Sequence, residues 1–292
     1  MITRCHWNAS TGLPQHAMSA FAQDGVLVIE NFVTPEACTA LRTRAEALVQ
    51  QHAPVTGHTV FSAQDQSHAK DAYFEASANS IGVFFEAGAH DAHGKLQVAL
   101  GKAVNKLGHA MHDIDPVFDA FSRTADLQSV AASLGLRDAL LVQSMYIFKQ
   151  PGIGGEVNCH QDSTYLYTEP SSVMGFWFAM EDAHQGNGCL AGIAGSHKQG
   201  LREIFRRNAQ GQLALDVLQP ELHWDAASAE LLEVRQGTLI VFNGLFAHLS
   251  SANTSPQSRH AYTLHAVSRQ AHYPASNWIQ RAERPKLPLR GF

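Results

Sequence analysis

From Ala139 onward the chain is written in short segments, and that texture limits its fold more than any other feature. The segments "ALLVQSMYIF", "VNCHQDSTYLY", "SVMGFWFAMED", "LLEV", "GTLIVFN" and "SRHAYTLHAVS" are rich in β-branched and aromatic residues. Gly, Pro, Asn or Ser turns separate them, as expected of strands. Strands in this number following a helical layer predict a barrel or a two-sheet jelly roll with helices packed outside it.

The front of the chain reads differently. After a loose first stretch, "VLVIENF" (Val26–Phe32) predicts a short strand. Thr34 then caps a helix that has Pro35 at its first position, with Cys38, Leu41, Ala45 and Leu48 forming one apolar stripe. A second helix is expected over "DPVFDAFSRTADLQSVAASLG", capped by Asp115 and ended by Gly135. No repeat or low-complexity linker divides the sequence. One domain over 1–292 is expected, with an N-terminal strand and helices over about 17–135 and the β core over about 139–270. The stretch from Gln199 to Ala229 is polar and less patterned, which suggests a mobile lid or an oligomer contact over one end of the sheet.

Composition excludes several roles. A net charge of −5 without a basic block argues against nucleic-acid binding. No segment is apolar for long enough to act as a signal peptide or to span a bilayer. The cysteines Cys5, Cys38, Cys159 and Cys189 lie far apart with no CxxC pair, which fits a reducing cytoplasm. Nothing in the sequence sets an oligomeric state.

The chemistry concentrates in "VNCHQDSTYLYTEP". His160 and Asp162, two apart in an extended segment, share one face. They could hold a metal, or simply hydrogen-bond each other. A site of two histidines and one carboxylate needs a third ligand from a neighbouring strand, and His248 after "GTLIVFNGLFA" is the candidate. Histidine is common here, 17 in all, and the chain has a second H-x-D, His223–Asp225. That one lies in polar sequence with no β pattern. Arg259, with Ser258 or Ser250 nearby, could bind a carboxylate on the strand beyond. Alternation turns Cys159 away from His160 and towards the core, and Gly152, Gly154 and Gly155 read as a turn, since no helix or Lys-Ser/Thr pair follows them.

These motifs together resemble the phytanoyl-CoA dioxygenase family. "FAQDGVLVIENFVTPEACTALRTRAEALV", "VQSMYIFKQPGIGGEVNCHQDSTYLYTEP", "GFWFAMEDAHQGNGCL", "AGSHKQG" and "SRHAYTLH" resemble its segments in order across nearly the whole chain. "QSMYIFKQP" and "LYTEP" resemble the subgroup called phytanoyl-CoA dioxygenase domain-containing protein 1. The resemblance implies a mainly β, cupin-like double-stranded β-helix with flanking helices. It implies Fe(II) and O2 chemistry with 2-oxoglutarate as cosubstrate, converted to succinate and CO2 as a C–H bond of a small molecule is hydroxylated. By that likeness His160, Asp162 and His248 are the iron ligands, and Arg259 and Ser250 meet the distal carboxylate of 2-oxoglutarate. Lys106, Met145 and Trp177 line its pocket. Related halogenases carry a small residue where Asp162 stands, so hydroxylation is the expected outcome. The chain departs from the family at "GCLAGIAGSH": Ala191, Gly192 and Ala194 lie where a tryptophan and a proline are usual, which touches substrate fit.

Two other readings use the same residues. One is a cupin-like metallo-hydrolase or isomerase, for which Arg259 has no particular use. The other is a non-catalytic sensor of metal or 2-oxoglutarate, for which an intact ligand set is unusual. For the substrate, the absence of a basic cluster fit for coenzyme A phosphates points to a small metabolite. "FRR" (Phe205–Arg207) is the one small cluster, read as solvated surface.

Overall fold

A computed structural model of the chain describes residues 1–53, 59–61, 72–280 and 289–292. In chain order the front half holds β1 (Arg4–His6), α1 (Gln15–Asp24), β2 (Val26–Glu30), α2 (Pro35–His52), β3 (Val60–Phe61), α3 (Ala72–Ser77) and β4 (Ile81–Glu86). It continues through α4 (Leu100–Ala103), β5 (Val104–His109), α5 (Met111–Ile114), α6 (Pro116–Ser122) and α7 (Ala125–Ser133). The back half is all β: β6 (Ala139–Ile147), β7 (Val157–His160), β8 (Met174–Ala179), β9 (Leu190–Gly192), β10 (Glu203–Arg207) and β11 (Leu213–Val217). After these come β12 (Glu230–Leu232), β13 (Leu239–Asn243), β14 (His248–Ser250) and β15 (Ala261–Ser268).

The expected jelly roll is present. A nine-stranded sheet runs β1-β2-β13-β8-β15-β6-β5-β4-β3, and a four-stranded sheet, β12-β9-β14-β7, lies opposite its centre. The period-2 alternation of the strands decides what faces where. In "GFWFA", Phe176 and Phe178 turn outward into a core shared with Cys38, Leu41, Ala45 and Leu48 of α2, while Trp177 turns inward. Leu239 and Val241 join the outer core; Ile240 and Phe242 join the inner one with Leu190 of the smaller sheet and Phe246 from the turn before β14. The outer face is almost entirely apolar. The inner face also carries Lys106, Gln143, Thr263 and His265, all buried, and polar groups in a closed space mark a chamber rather than a packed core.

Several expectations are corrected. The front is not only helical: β3, β4 and β5 extend the large sheet, and Lys106 sits on β5. The single helix over 115–135 is two. Asp115 does cap the first, accepting from Val117 N and Phe118 N, but Thr124 caps a second through Leu127 N. The break at Arg123 lets its guanidinium reach Asp113 and Asp119. The polar stretch after Gln199 contains an antiparallel hairpin, β10–β11, which buries Ile204 and Phe205 rather than leaving Phe205 at the surface.

Candidate active site

His160 ends β7 and His248 opens β14, and the two strands pair so that these residues are direct cross-strand partners. Their rings lie 4.3 Å apart. Asp162 is not on the strand, as the H-x-D spacing suggested; it starts a single 3-10 turn after β7. Gln161 between them keeps extended backbone (φ −117°, ψ 137°), so the two side chains still share a face. The Gln161 amide anchors that bend by donating to the carbonyls of Gly200 and Leu245.

The ligand-type atoms converge. Asp162 Oδ1 lies 3.6 Å from His160 Nε2 and 3.8 Å from His248 Nε2, and one atom from each residue falls within 4.8 Å of the others. Each imidazole is oriented by a carbonyl: His160 Nδ1 lies 2.8 Å from Asn158 O, and His248 Nδ1 3.1 Å from Phe246 O. With Nδ1 turned to these carbonyls, Nε2 is the nitrogen of each ring that faces Asp162. His265 on β15 fixes the carboxylate from behind, its Nε2 2.9 Å from Asp162 Oδ2. Burial alone would raise the Asp162 pKa, but His265 and the hydrogen bond from His160 outweigh it and hold the carboxyl well below its usual range. Burial, with His160 beside it, pushes the His248 imidazole down to about 4. The site is therefore a carboxylate with a neutral His248.

Every other side chain implied by the resemblance lines the same chamber of about 510 Å³: Lys106, Met145, Trp177, Ser250 and Arg259. Arg259 lies on the loop before β15 rather than on the strand, and it is fully enclosed. Its Nε donates to Gly188 O (3.1 Å), its Nη2 approaches Ser250 Oγ (3.4 Å), and its Cζ stacks 5.4 Å over the Trp177 ring. Burial lowers it only to about 10, so it stays cationic at neutral pH. Its buried Nη1 has no hydrogen-bond partner among the described residues. Lys106 Nζ lies 3.8 Å from Met145 Sδ, and burial pushes its amine down to about 7. Of the two serines considered for the arginine, Ser250 is beside it; Ser258 instead donates to Glu181 (2.8 Å).

The second H-x-D stays apart: Asp225 accepts from Ala227 N in a 3-10 turn. Cys159 is half-buried rather than in the core, with its thiol pushed up to about 11 by burial, and Cys189 is buried. Sequence reasoning passed over two residues of this site, His265 and Lys149. His265 was open to detection, since it follows Thr263 at the inward spacing of β15. Nothing in the sequence around Lys149 marks it out from other lysines.

Such a chamber between the sheets of a double-stranded β-helix, with a His/Asp/His cluster and a buried cation, defines the class. Residues 21–261 match the family model for phytanoyl-CoA dioxygenase (PhyH), and the chain belongs to that family of enzymes. A phytanoyl-CoA dioxygenase of Arabidopsis thaliana is 42% identical over 267 residues, 91% of this chain and 93% of that one. Mouse phytanoyl-CoA dioxygenase domain-containing protein 1 is 40% identical over 280 residues, 93% of this chain and 96% of the mouse protein. In shape the chain is similar to EctD from S. alaskensis, whose crystal structure holds 2-oxoglutarate and 5-hydroxyectoine. The TM-score is 0.61 at 18% identity, covering 98% of this chain and 86% of that one.

Proposed function

We propose that the protein is an Fe(II)- and 2-oxoglutarate-dependent dioxygenase that hydroxylates a C–H bond of a small metabolite, releasing succinate and CO2. The observation that carries this reading is the convergence of two imidazole Nε2 atoms and one carboxylate oxygen beside an enclosed arginine. Nitrogen and oxygen donors of this kind suit non-haem iron. His160, Asp162 and His248 would hold the iron, and Arg259 and Ser250 the distal carboxylate of 2-oxoglutarate, with Lys106, Met145 and Trp177 walling its pocket. When bound, the iron and its cosubstrate supply the oxidising power. The chain's own part is to hold the imidazoles in one tautomer, lock Asp162 against His265, and keep water out between the two sheets. Asp162, rather than a small residue, supports hydroxylation over halogenation. A metallo-hydrolase would have no use for a buried, carboxylate-ready arginine.

The small-metabolite reading rests on what surrounds the outer chamber. Phe74, Tyr165, Phe205 and Trp278 line it, as do His109 and Gln143. The arginines on and before the hairpin are already paired, Arg202 with Glu203, Arg206 with Asp216 and Arg207 with Glu75. Among the described residues around the chamber they leave no cluster of spare cations for the phosphates of coenzyme A.

Anaerobic titration with iron(II) and 2-oxoglutarate tests the cosubstrate site through the visible charge-transfer band of the chelate. Wild type is expected to develop the band, and Asp162→Ala and Arg259→Ala to weaken or lose it. Stoichiometric metal without a band would sink the oxygenase reading. Succinate formation across neutral metabolites and acyl-CoA thioesters then tests the substrate class, with the former expected to stimulate turnover.

A further inference from the structure

Lys149 lies just past the end of β6, two per cent exposed, and its ammonium is buried beside Arg259. Nζ donates to Ser250 Oγ and to the carbonyl of Gly155, both at 2.6 Å. Neither Lys149 nor Arg259 makes an ion pair with any described residue. Glu86 and Glu156 lie near enough to favour the charged lysine but do not touch it: Glu86 Oε2 instead accepts from Gly155 N (3.2 Å) and from Asn105 (2.9 Å). Two adjacent buried cations with no carboxylate in contact among the described residues are costly unless the space beside them takes an anion.

The local chain is shaped to bring the lysine here. Lys149 takes a left-handed φ of +39°, rare for a side-chain-bearing residue. Its carbonyl is held there by Asn253 Nδ2 (2.9 Å) and Arg259 N (3.3 Å). A Cβ on Gly188 would stand 2.6 Å from Lys149 Cε, so a glycine is required where the stem passes. A Cβ on Gly154 would meet the Gln150 carbonyl at 2.8 Å, so the glycine run of "PGIGGE" is what folds Gly155 back onto the ammonium. Ser250 Oγ, with Lys149 and Arg259 both pointing at it and Gly188 O 3.3 Å away, has its orientation decided by the two cations.

We propose that Lys149 is a positioning residue for the cosubstrate: it pins Ser250 and the Gly155 turn, and adds a second positive charge behind the distal-carboxylate seat of Arg259. This rests on the 2-oxoglutarate reading above. It assigns the inner end of the chamber a demand for a carboxylate at the far end of the ligand, set by two cations acting through one serine.

Calorimetry of the manganese(II)-loaded protein with 2-oxoglutarate, and with 2-oxopentanoate, which lacks the distal carboxylate, tests it without turnover. Wild type is expected to prefer 2-oxoglutarate strongly. Lys149→Met should weaken 2-oxoglutarate about tenfold or more, the worth of one charge-assisted hydrogen bond, and leave 2-oxopentanoate and manganese affinity unchanged. Lys149→Gln keeps a donor and removes the charge; an intermediate loss is expected, and it serves if the methionine variant does not fold. Adding Ser250→Ala to Lys149→Met should cost less than the sum of the single losses, because both act on one contact. Unchanged selectivity in both lysine variants, or equal loss of both ligands and of manganese, would overturn the role of Lys149. If wild type itself fails to bind 2-oxoglutarate, the functional reading falls first and this role with it.

Discussion

Gly175 shows how closely the carboxylate of the triad is fitted. A Cβ at this position would lie 2.8 Å from Asp162 Oδ2 and 2.4 Å from the Phe242 ring, and two rigid neighbours leave it nowhere to go. Gly175→Ala is expected to displace Asp162 and lower metal affinity about 10–100-fold, the range found when groups behind a ligand are disturbed. His265→Leu removes the other support and should act in the same direction. Manganese(II) titration followed by electron paramagnetic resonance reads both, and wild-type affinity in either variant would show that Asp162 is held without it. His160, Asp162 and His248 stand out in the sequence as candidate ligands, and Arg259 as a candidate carboxylate partner, because those residue types in that pattern carry such chemistry. Their particular roles are what the family resemblance implies. Lys149 does not stand out, because its importance lies in a left-handed turn and in a glycine 39 residues away, Gly188.

Among the elements, the split between α6 and α7 is where local signals competed. Periodicity runs through both segments, yet Thr124 Oγ1 accepts from Leu127 N and starts a new helix. Thr124→Ala is expected to cost about 1 kcal/mol, the usual worth of such a cap, seen as a lower urea midpoint with unchanged slope. If the midpoint does not move, the break is set by the Arg123 contacts alone. Strands β4 and β5 were hidden for a different reason. In "VNKLGH" of β5 the lysine and histidine interrupt the apolar pattern, because the strand's inner side faces the chamber and not a core. At β9, Gly192 is a packing requirement: a Cβ would stand 2.2 Å from the Phe246 ring. Ala191 and Gly192, two of the expected departures from the family, thus lie on a strand that pairs directly with β14 and His248, and Ala194 follows just beyond it.

For the whole molecule, the chamber's buried lysines couple stability to pH. Burial pushes Lys106 down to about 7, and burial with the charge of Arg259 does the same to Lys149. An unfolded lysine titrates near about 10.4, so between these values the folded state binds fewer protons than the unfolded one. Stability of the cosubstrate-free protein is therefore expected to rise from pH 7 towards pH ~9 through these two groups; below about 7 both states are protonated and the full cost of burying the charges remains. Melting temperatures of wild type and a Lys106→Met/Lys149→Met protein across that window check the sign: the gap between them should narrow as pH rises. A constant gap would mean that neither amine titrates there. No described helix is long and apolar enough to cross a membrane.

By itself the sequence determined a β-rich back half closing as a barrel or a jelly roll, the cap and stripe of α2, and His160, Asp162 and His248 as candidate ligands, because alternation, turn residues and donor type are written locally. Tertiary structure alone decided the rest. It paired His160 with His248 across two strands, brought His265 behind Asp162, and buried Lys149 against Ser250 through glycines distant in the chain. It also converted a polar stretch into the hairpin that sets Phe205 beside Tyr165, their rings 5.7 Å apart. These are contacts between residues far apart in sequence, and only the closing of one sheet over the other gives them a distance.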